Sequence, residues 1–174
     1  MLDRIKATFF CALIFPLVFL AACNPFAPAL EDIVVDKNAV LGNRKTISGM
    51  FEWFRSSYEL RDTLLYGQML ARDFQFSYLD FTNNNLVYWD RDIDMRTTYN
   101  LFRAAKSASV QWQHYVSADT LSDTLVGMER YFNVTIVLDD QQIFRSTGSA
   151  RLKMRRKTSE DFWQIISWFD KSDF

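Results

Sequence analysis

Apolar residues recur at three- and four-residue steps through Ile47, Met50, Phe51, Phe54 and Tyr58, which sets them along one face of a helix. Gly49 weakens its opening turn. Arg61-Asp62 breaks the pattern, and Asp62 is placed to cap a second, short helix carrying Leu65, Met69 and Leu70. Over 73–78, polar and aromatic residues alternate, the pattern of a half-buried strand. Thr82-Asn83-Asn84-Asn85 is rich in turn formers. A third helix is predicted beyond it, capped by Asp90 or Asp92, with Ile93, Leu101 and Phe102 facing inward. Its early acidic residues lie at the positive end of the helix dipole.

The remainder reads as β. Alternation over 110–116 puts Val110, Trp112, His114 and Val116 on one face. Two longer strands, 129–138 and 143–156, flank the turn Asp139-Asp140-Gln141-Gln142, and a last strand covers 162–169. Along 143–156 one face carries Arg145, Thr147, Ser149, Arg151, Lys153 and Arg155, while the other carries Phe144, Ser146, Gly148, Ala150, Leu152 and Met154. The pairing of these two strands admits two registers. A four-residue turn puts Phe132, Val134 and Ile136 on the basic face, leaving an apolar outer stripe suited to dimerisation. A shift of one residue reverses every side chain and gives a dry core with a soluble outer face. The second is favoured because it buries the apolar set on one side.

Helix, helix, strand, helix and four strands predict an α+β domain, a curved antiparallel sheet with three N-terminal helices on its concave face. Over residues 46–174 the chain resembles the nuclear transport factor 2-like (SnoaL-like) α+β cone. The resemblance rests on Tyr58-Glu59-Leu60-Arg61-Asp62 leading to Asp73-Phe74-x-Phe76, on Gly148-x-Ala150-x-Leu152, and on Trp163-x-Ile165-x-x-Trp168. It implies a conical pocket between sheet and helices, often a dimer, and functions that range from isomerases and dehydratases to noncatalytic binding domains. The candidate pocket residues on that footing are Phe54, Tyr58, Trp112, His114, Gly148, Ala150 and Trp163. The small residues at 146, 148 and 150 leave space that either a ligand or large neighbours such as Trp53 and Phe54 would fill.

A different pattern occupies the start of the chain. Arg4 and Lys6 precede a nearly unbroken apolar run over 7–20, and Leu20-Ala21-Ala22-Cys23 follows. This is the layout of a secretory signal peptide. The run carries Pro16 and falls short of the roughly 20 apolar residues that a membrane-spanning helix needs. Leu20-Ala21-Ala22-Cys23 resembles the lipobox of bacterial lipoproteins. That resemblance implies cleavage after Ala22, a diacylglyceryl group on the Cys23 thiol and an acylated new amino terminus. Asn24 stands where inner-membrane members often carry Asp, so the implied destination is the cell envelope, at the outer membrane if the organism has one. The expected division is a signal peptide over 1–22, a lipidated tether over 23–45 with Pro25, Pro28 and Gly42, and the domain over 46–174.

Loss of Asp3, Arg4 and Lys6 with the signal would take the formal net charge from −1 to −2. So nearly neutral a chain has no general attraction for nucleic acid. Cys11 would leave with the signal and Cys23 would be consumed by lipid, so no disulfide is expected. With one histidine and no spare cysteine, no structural zinc site is expected either, nor any cofactor. His114 is the candidate general acid–base, because imidazole titrates near neutrality; the opposing reading is a core histidine satisfied by hydrogen bonds. Asp80, Asp119 and Glu129 are the acids available to it. The expected partners are the membrane, through the lipid, and either a small apolar ligand, another envelope component or a second copy of the chain.

Overall fold

The computed structural model describes residues 40–172, so the signal segment, Cys23 and most of the expected tether lie outside the described residues. Helix α1 (Ile47–Glu59) is capped by Thr46, whose hydroxyl accepts from the Gly49 amide at 3.1 Å. Met50, Phe51, Trp53 and Phe54 bury its predicted face. Gly49 is dictated by packing, since a Cβ there would stand 2.1 Å from the Asn43 carbonyl oxygen. Helix α2 (Thr63–Gly67) is capped by Asp62 as expected, its carboxylate accepting from Leu64 and Leu65 at 2.8 and 3.0 Å.

Met69 and Leu70 were expected on that helix. Instead α2 stops at Gly67 and strand β1 (Leu70–Asp80) begins at once, with the Ile165 amide donating to the Met69 carbonyl at 2.7 Å. The hairpin partner β2 (Asn85–Asp90) had no counterpart in the pattern. It is an edge strand on which only Val87 and Trp89 are half-buried, so its alternation is faint. The Asp80 carboxylate closes the turn by accepting from the Thr82 and Asn83 amides, and Asn84 takes a φ of 47°.

Helix α3 (Arg91–Ala104) is capped by Asp90, which accepts from Asp92 and Ile93. Leu101 and Phe102 face inward as expected, but Ile93 does not. Ile93 is 42% exposed, while Asp94, Thr98 and Phe102 are buried. At the first turn a carboxylate, Asp94, takes the inward position instead.

Strands β3 (Ser107–Ser122), β4 (Leu125–Val137), β5 (Ile143–Arg155) and β6 (Gln164–Ser172) complete a six-stranded sheet in the order β2-β1-β6-β5-β4-β3. The sheet is mixed rather than antiparallel, because β1 and β6 run parallel. Connectivity forces this. Helix α3 returns the chain, so β3 runs in the direction of β2, and three further reversals leave β6 opposed to β2 and therefore parallel to β1. Helix α1 packs on β3 and α3 on β1, with the core between helices and sheet.

The register of β4 with β5 is the shifted one. Five residues, Leu138 to Gln142, close the turn, and Ile136 faces Phe144 rather than Arg145. Phe132 and Ile136 are consequently buried, and the stripe that suggested dimerisation is absent from the outer face. Part of the basic face is paired in place. Glu129 accepts from Ser149, Arg151 and Lys171 at 2.7 to 3.1 Å, and Arg155 grips Asp73 at 2.9 and 3.1 Å.

Candidate functional site

A cavity of about 320 Å³ opens between α1, α3 and the inner sheet face. Its walls follow from the helix and strand periods already described. Spacing of four on α1 puts Phe54 and Tyr58 side by side, their rings stacked 5.1 Å apart. The Phe54 ring also meets Trp112 of β3 at 5.1 Å and Trp168 of β6 at 5.4 Å. Across the cavity Phe76 and Trp89 stack at 4.4 Å. Such offset and edge-on contacts each add about 0.5–1.5 kcal/mol beyond burial, which keeps an aromatic shell standing around unfilled space. Thr97 and Phe144 are exposed lining residues, so the cavity reaches the surface near them.

Few polar groups enter this shell. Asp94 accepts from the Tyr66 hydroxyl at 2.8 Å and from the Trp89 indole at 3.0 Å, so both of its oxygens are engaged. Burial raises its carboxyl above the usual range, opposed by those two hydrogen bonds and by the charge of Arg91. Asp170 is likewise raised by burial, against the hydrogen bond it accepts from the Ser172 amide at 2.8 Å. The Tyr58 phenol is pushed up by burial and by the charges of Asp94 and Asp170, so it stays protonated across the physiological range. Among the described residues, three further polar atoms of lining residues are buried with no hydrogen-bond partner: the indole nitrogens of Trp112 and Trp168 and the hydroxyl of Ser146.

Of the residues singled out from the sequence, Phe54, Tyr58 and Trp112 line the cavity. Gly148 and Ala150 lie outside the lining: Gly148 is pressed against β6, where a Cβ would stand 2.3 Å from the Ser172 Cα, and Ala150 is fully buried. Trp163 is buried elsewhere, under the Arg156 guanidinium at 4.4 Å. His114 departs furthest from expectation. The β3–β4 register slips between Trp112 and Tyr115, which inverts the alternation. Trp112 and Tyr115 both pack against Phe51, and His114 is turned out to solvent beside the Tyr131 ring at 4.8 Å. None of the three candidate acids joins it in a described contact. Asp80 holds its own turn and Glu129 is enclosed by its three partners.

Sequence reasoning missed Asp94, Asp170 and Trp168 as cavity residues. The available signal was the spacing Asp94, Thr98, Leu101, Phe102, a helical stripe that begins with a charge.

This architecture is the nuclear transport factor 2-like, or cystatin-like, α+β fold. Among solved structures, the chain is similar to a protein provisionally assigned as a scytalone dehydratase from Novosphingobium aromaticivorans. The TM-score is 0.60 at 12% identity, over 80% of this chain and 88% of that one. It is also similar to a nuclear transport factor 2-like protein of unknown function in nutrient uptake from Rhodospirillum rubrum (TM-score 0.58, 14% identity, 74% and 99% coverage). A third is an uncharacterized protein with a cystatin-like fold from Caulobacter vibrioides (TM-score 0.55, 12% identity, 74% and 87%). No family model and no curated protein matches the chain. Identities this low establish the fold and leave the activity to the site.

Proposed function

We propose that this chain is a lipid-anchored envelope protein whose domain binds a small apolar or amphipathic molecule without converting it. The observation that carries the reading is the aromatic cavity of about 320 Å³, which lies at the small end of the range of about 300–1,000 Å³ usual for ligand sites. The anchor rests on the N-terminal pattern ending at Cys23. Native mass spectrometry of the protein, purified gently from its own host, tests the reading. A discrete bound mass, lost when Phe54→Ala opens the wall, is the expected result; a clean unliganded mass together with failure to bind small ring compounds would sink it.

A second reading, a dehydratase or isomerase, is favoured by one observation: two carboxyls of raised pKa lie in the cavity wall. With His114 outside, the acid–base role falls to Asp170, since both oxygens of Asp94 are engaged. A carboxylate of raised basicity can take a proton from a carbon beside a carbonyl. Deuterium exchange at the ring α-carbon of 1-indanone, followed by proton NMR, separates the two. Exchange no faster than in buffer supports simple binding, and exchange abolished by Asp170→Asn supports the enzyme.

A further inference from the structure

Trp112 also lines a second hollow, a surface groove of about 590 Å³ between α1 and β3. The slip in β3 makes this groove. It sets Tyr115 on the same side as Trp112, and both rings pack against Phe51 of α1. The helix adds Glu52 and Arg55, which project beside Phe51 into the same groove, and β4 adds Arg130.

Arg130 is held in an unusual way. Its guanidinium carbon stands 4.6 Å from the Phe51 ring and 4.6 Å from the Tyr115 ring, and these rings meet at 81° to form a corner. Its Nε donates to the Gln113 carbonyl at 2.6 Å, inside the slipped segment. The side chain is thus fixed by packing and by one hydrogen bond. Its two terminal nitrogens have no partner among the described residues, and they are not enclosed, since the residue is half-buried and neither nitrogen is cut off from solvent. Arg44 and Arg156 also lie over aromatic rings, but they use terminal N–H groups on the protein: Arg44 on Gln68, Arg156 on the Ser159 carbonyl. None of the described ion pairs includes Arg130. A guanidinium positioned in a groove with its fork open and no anion in place is a receptor for one.

Charge narrows the choice of anion. Arg55 is half-exposed and makes one long contact, 3.8 Å to Glu59, so it is free to turn toward the groove. Glu52 is the acid of the lining, and Arg55 and Arg130 are its cations. Two cations against one acid suit a monoanion. A phosphate dianion would lie beside Glu52 with too little positive charge, and an ammonium would face two guanidinium groups. The flat fork of arginine matches a carboxylate, and the rings of Phe51, Trp112 and Tyr115 offer apolar surface beside it.

We propose that this groove is a second binding site, separate from the aromatic cavity, for a carboxylate carried on a small aromatic or apolar body. Arg130 receives the carboxylate through its terminal N–H groups, Arg55 adds the second positive charge, and the aromatic rings take the apolar body. The inference does not depend on the cavity being occupied.

Three probes on one skeleton test this: 3-phenylpropanoate, 3-phenylpropanamide and 3-phenylpropylammonium, each titrated calorimetrically into the full chain. The acid should bind about tenfold tighter than the amide, the worth of hydrogen bonds to a charged group, and the ammonium weakest. The aromatic cavity cannot supply that order, because its lining holds Asp94 and Asp170 and no Lys, Arg or His. Arg130→Gln should abolish the preference for the acid. Arg130→Lys, which keeps the charge and loses the fork, should retain about a third of it or less. Should both variants fail to fold, Arg55→Gln on the exposed side of α1 should still weaken the acid about threefold and leave the amide in place. Acetyl-Gly-Phe presents the same carboxylate on a peptide end. Tighter binding than 3-phenylpropanoate would identify a chain terminus as its source and weaker binding a free acid, and either supports the site. An acid bound no tighter than the amide by the wild-type chain would overturn the proposal, as would a preference that survives Arg130→Gln. Displacement of the acid by an equal concentration of inorganic phosphate would overturn the carboxylate assignment.

Discussion

Two carboxylates of this domain answer burial in opposite ways. Asp94 has two neutral donors, and its carboxyl stays raised; Glu129 has a hydroxyl and two cations. Burial pushes Glu129 up as well, but Ser149, Lys171 and Arg151 together outweigh it and hold the carboxyl at about 2. A folded pKa below the unfolded one, about 4.3, means that the unfolded chain takes up its proton first as pH falls. The stability that Glu129 contributes is therefore complete above about pH 5 and lost toward pH 2. Urea denaturation of wild type against Glu129→Gln should show a gap that is wide at pH 6 and closes steadily in that window. A gap independent of pH would contradict the assignment. Asp94→Ala works by another route: it orphans the Tyr66 hydroxyl and the Trp89 indole, at a cost of about 2–4 kcal/mol. Asp94→Asn, which can still accept one of the two bonds, should lose roughly half as much. Equal losses would show that charge rather than acceptance matters there.

Elements with one strong period were legible from the chain, and elements that break their period were not. Helix α1 and the β4–β5 hairpin followed from apolar spacing alone, because each buries a continuous stripe. Strand β2 did not, since an edge strand with two inward residues leaves almost no stripe to read. The β3 irregularity was hidden too: Trp112, Gln113, His114 and Tyr115 alternate formally, and only pairing with β4 shows that one residue is extra. This single slip moved the sole histidine from the expected core face to the outside. The α3 face was read correctly at Leu101 and Phe102 and missed at its first turn, because a helix is ordinarily placed by its apolar side and here a buried Asp94 takes the position that Ile93 was given. Both misses fall at the cavity, where polar groups have been turned inward against the pattern of the rest of the chain. The hairpin offers a test at this scale. Deleting Gln141 shortens the turn by one residue, so either the register shifts and exposes Phe132, Val134 and Ile136, or the sheet pairs poorly. The variant should lose its near-ultraviolet circular dichroism, whereas Gln141→Ala should keep it; a deletion variant with native signal would mean that the turn does not set the register.

At the scale of the molecule, the cone with its helices and conical pocket was readable as a resemblance, while the parallel contact of β1 with β6 required knowing that β2 exists. The expected tether and anchor belong to the same scale, because they would determine where the cavity works. Cys23→Ser should leave far-ultraviolet circular dichroism of the domain unchanged and move the signal-cleaved protein from the membrane to the soluble fraction. Retention of the processed variant on membranes would remove the lipid from the proposal. In the proposed protein, an apolar cavity held near a bilayer would meet ligands already concentrated in that bilayer.

The last of the described strands, β6, occupies the middle of the sheet, between β1 and β5, and brings Trp168, Asp170 and Ser172 with it. Without residues 164–172, β1–β2 and β3–β5 are two ribbons with no strand pairing between them. On the β6 side, the partner of Phe76 is Trp168, some ninety positions later in the chain. Contacts so distant in sequence delay folding, because the loop must close before they are rewarded. A growing chain of this topology therefore has no complete sheet to form before β6 has emerged. In the proposed envelope protein, which would be threaded through a membrane before folding, that delay would be an advantage: the strand order itself would postpone the compact state.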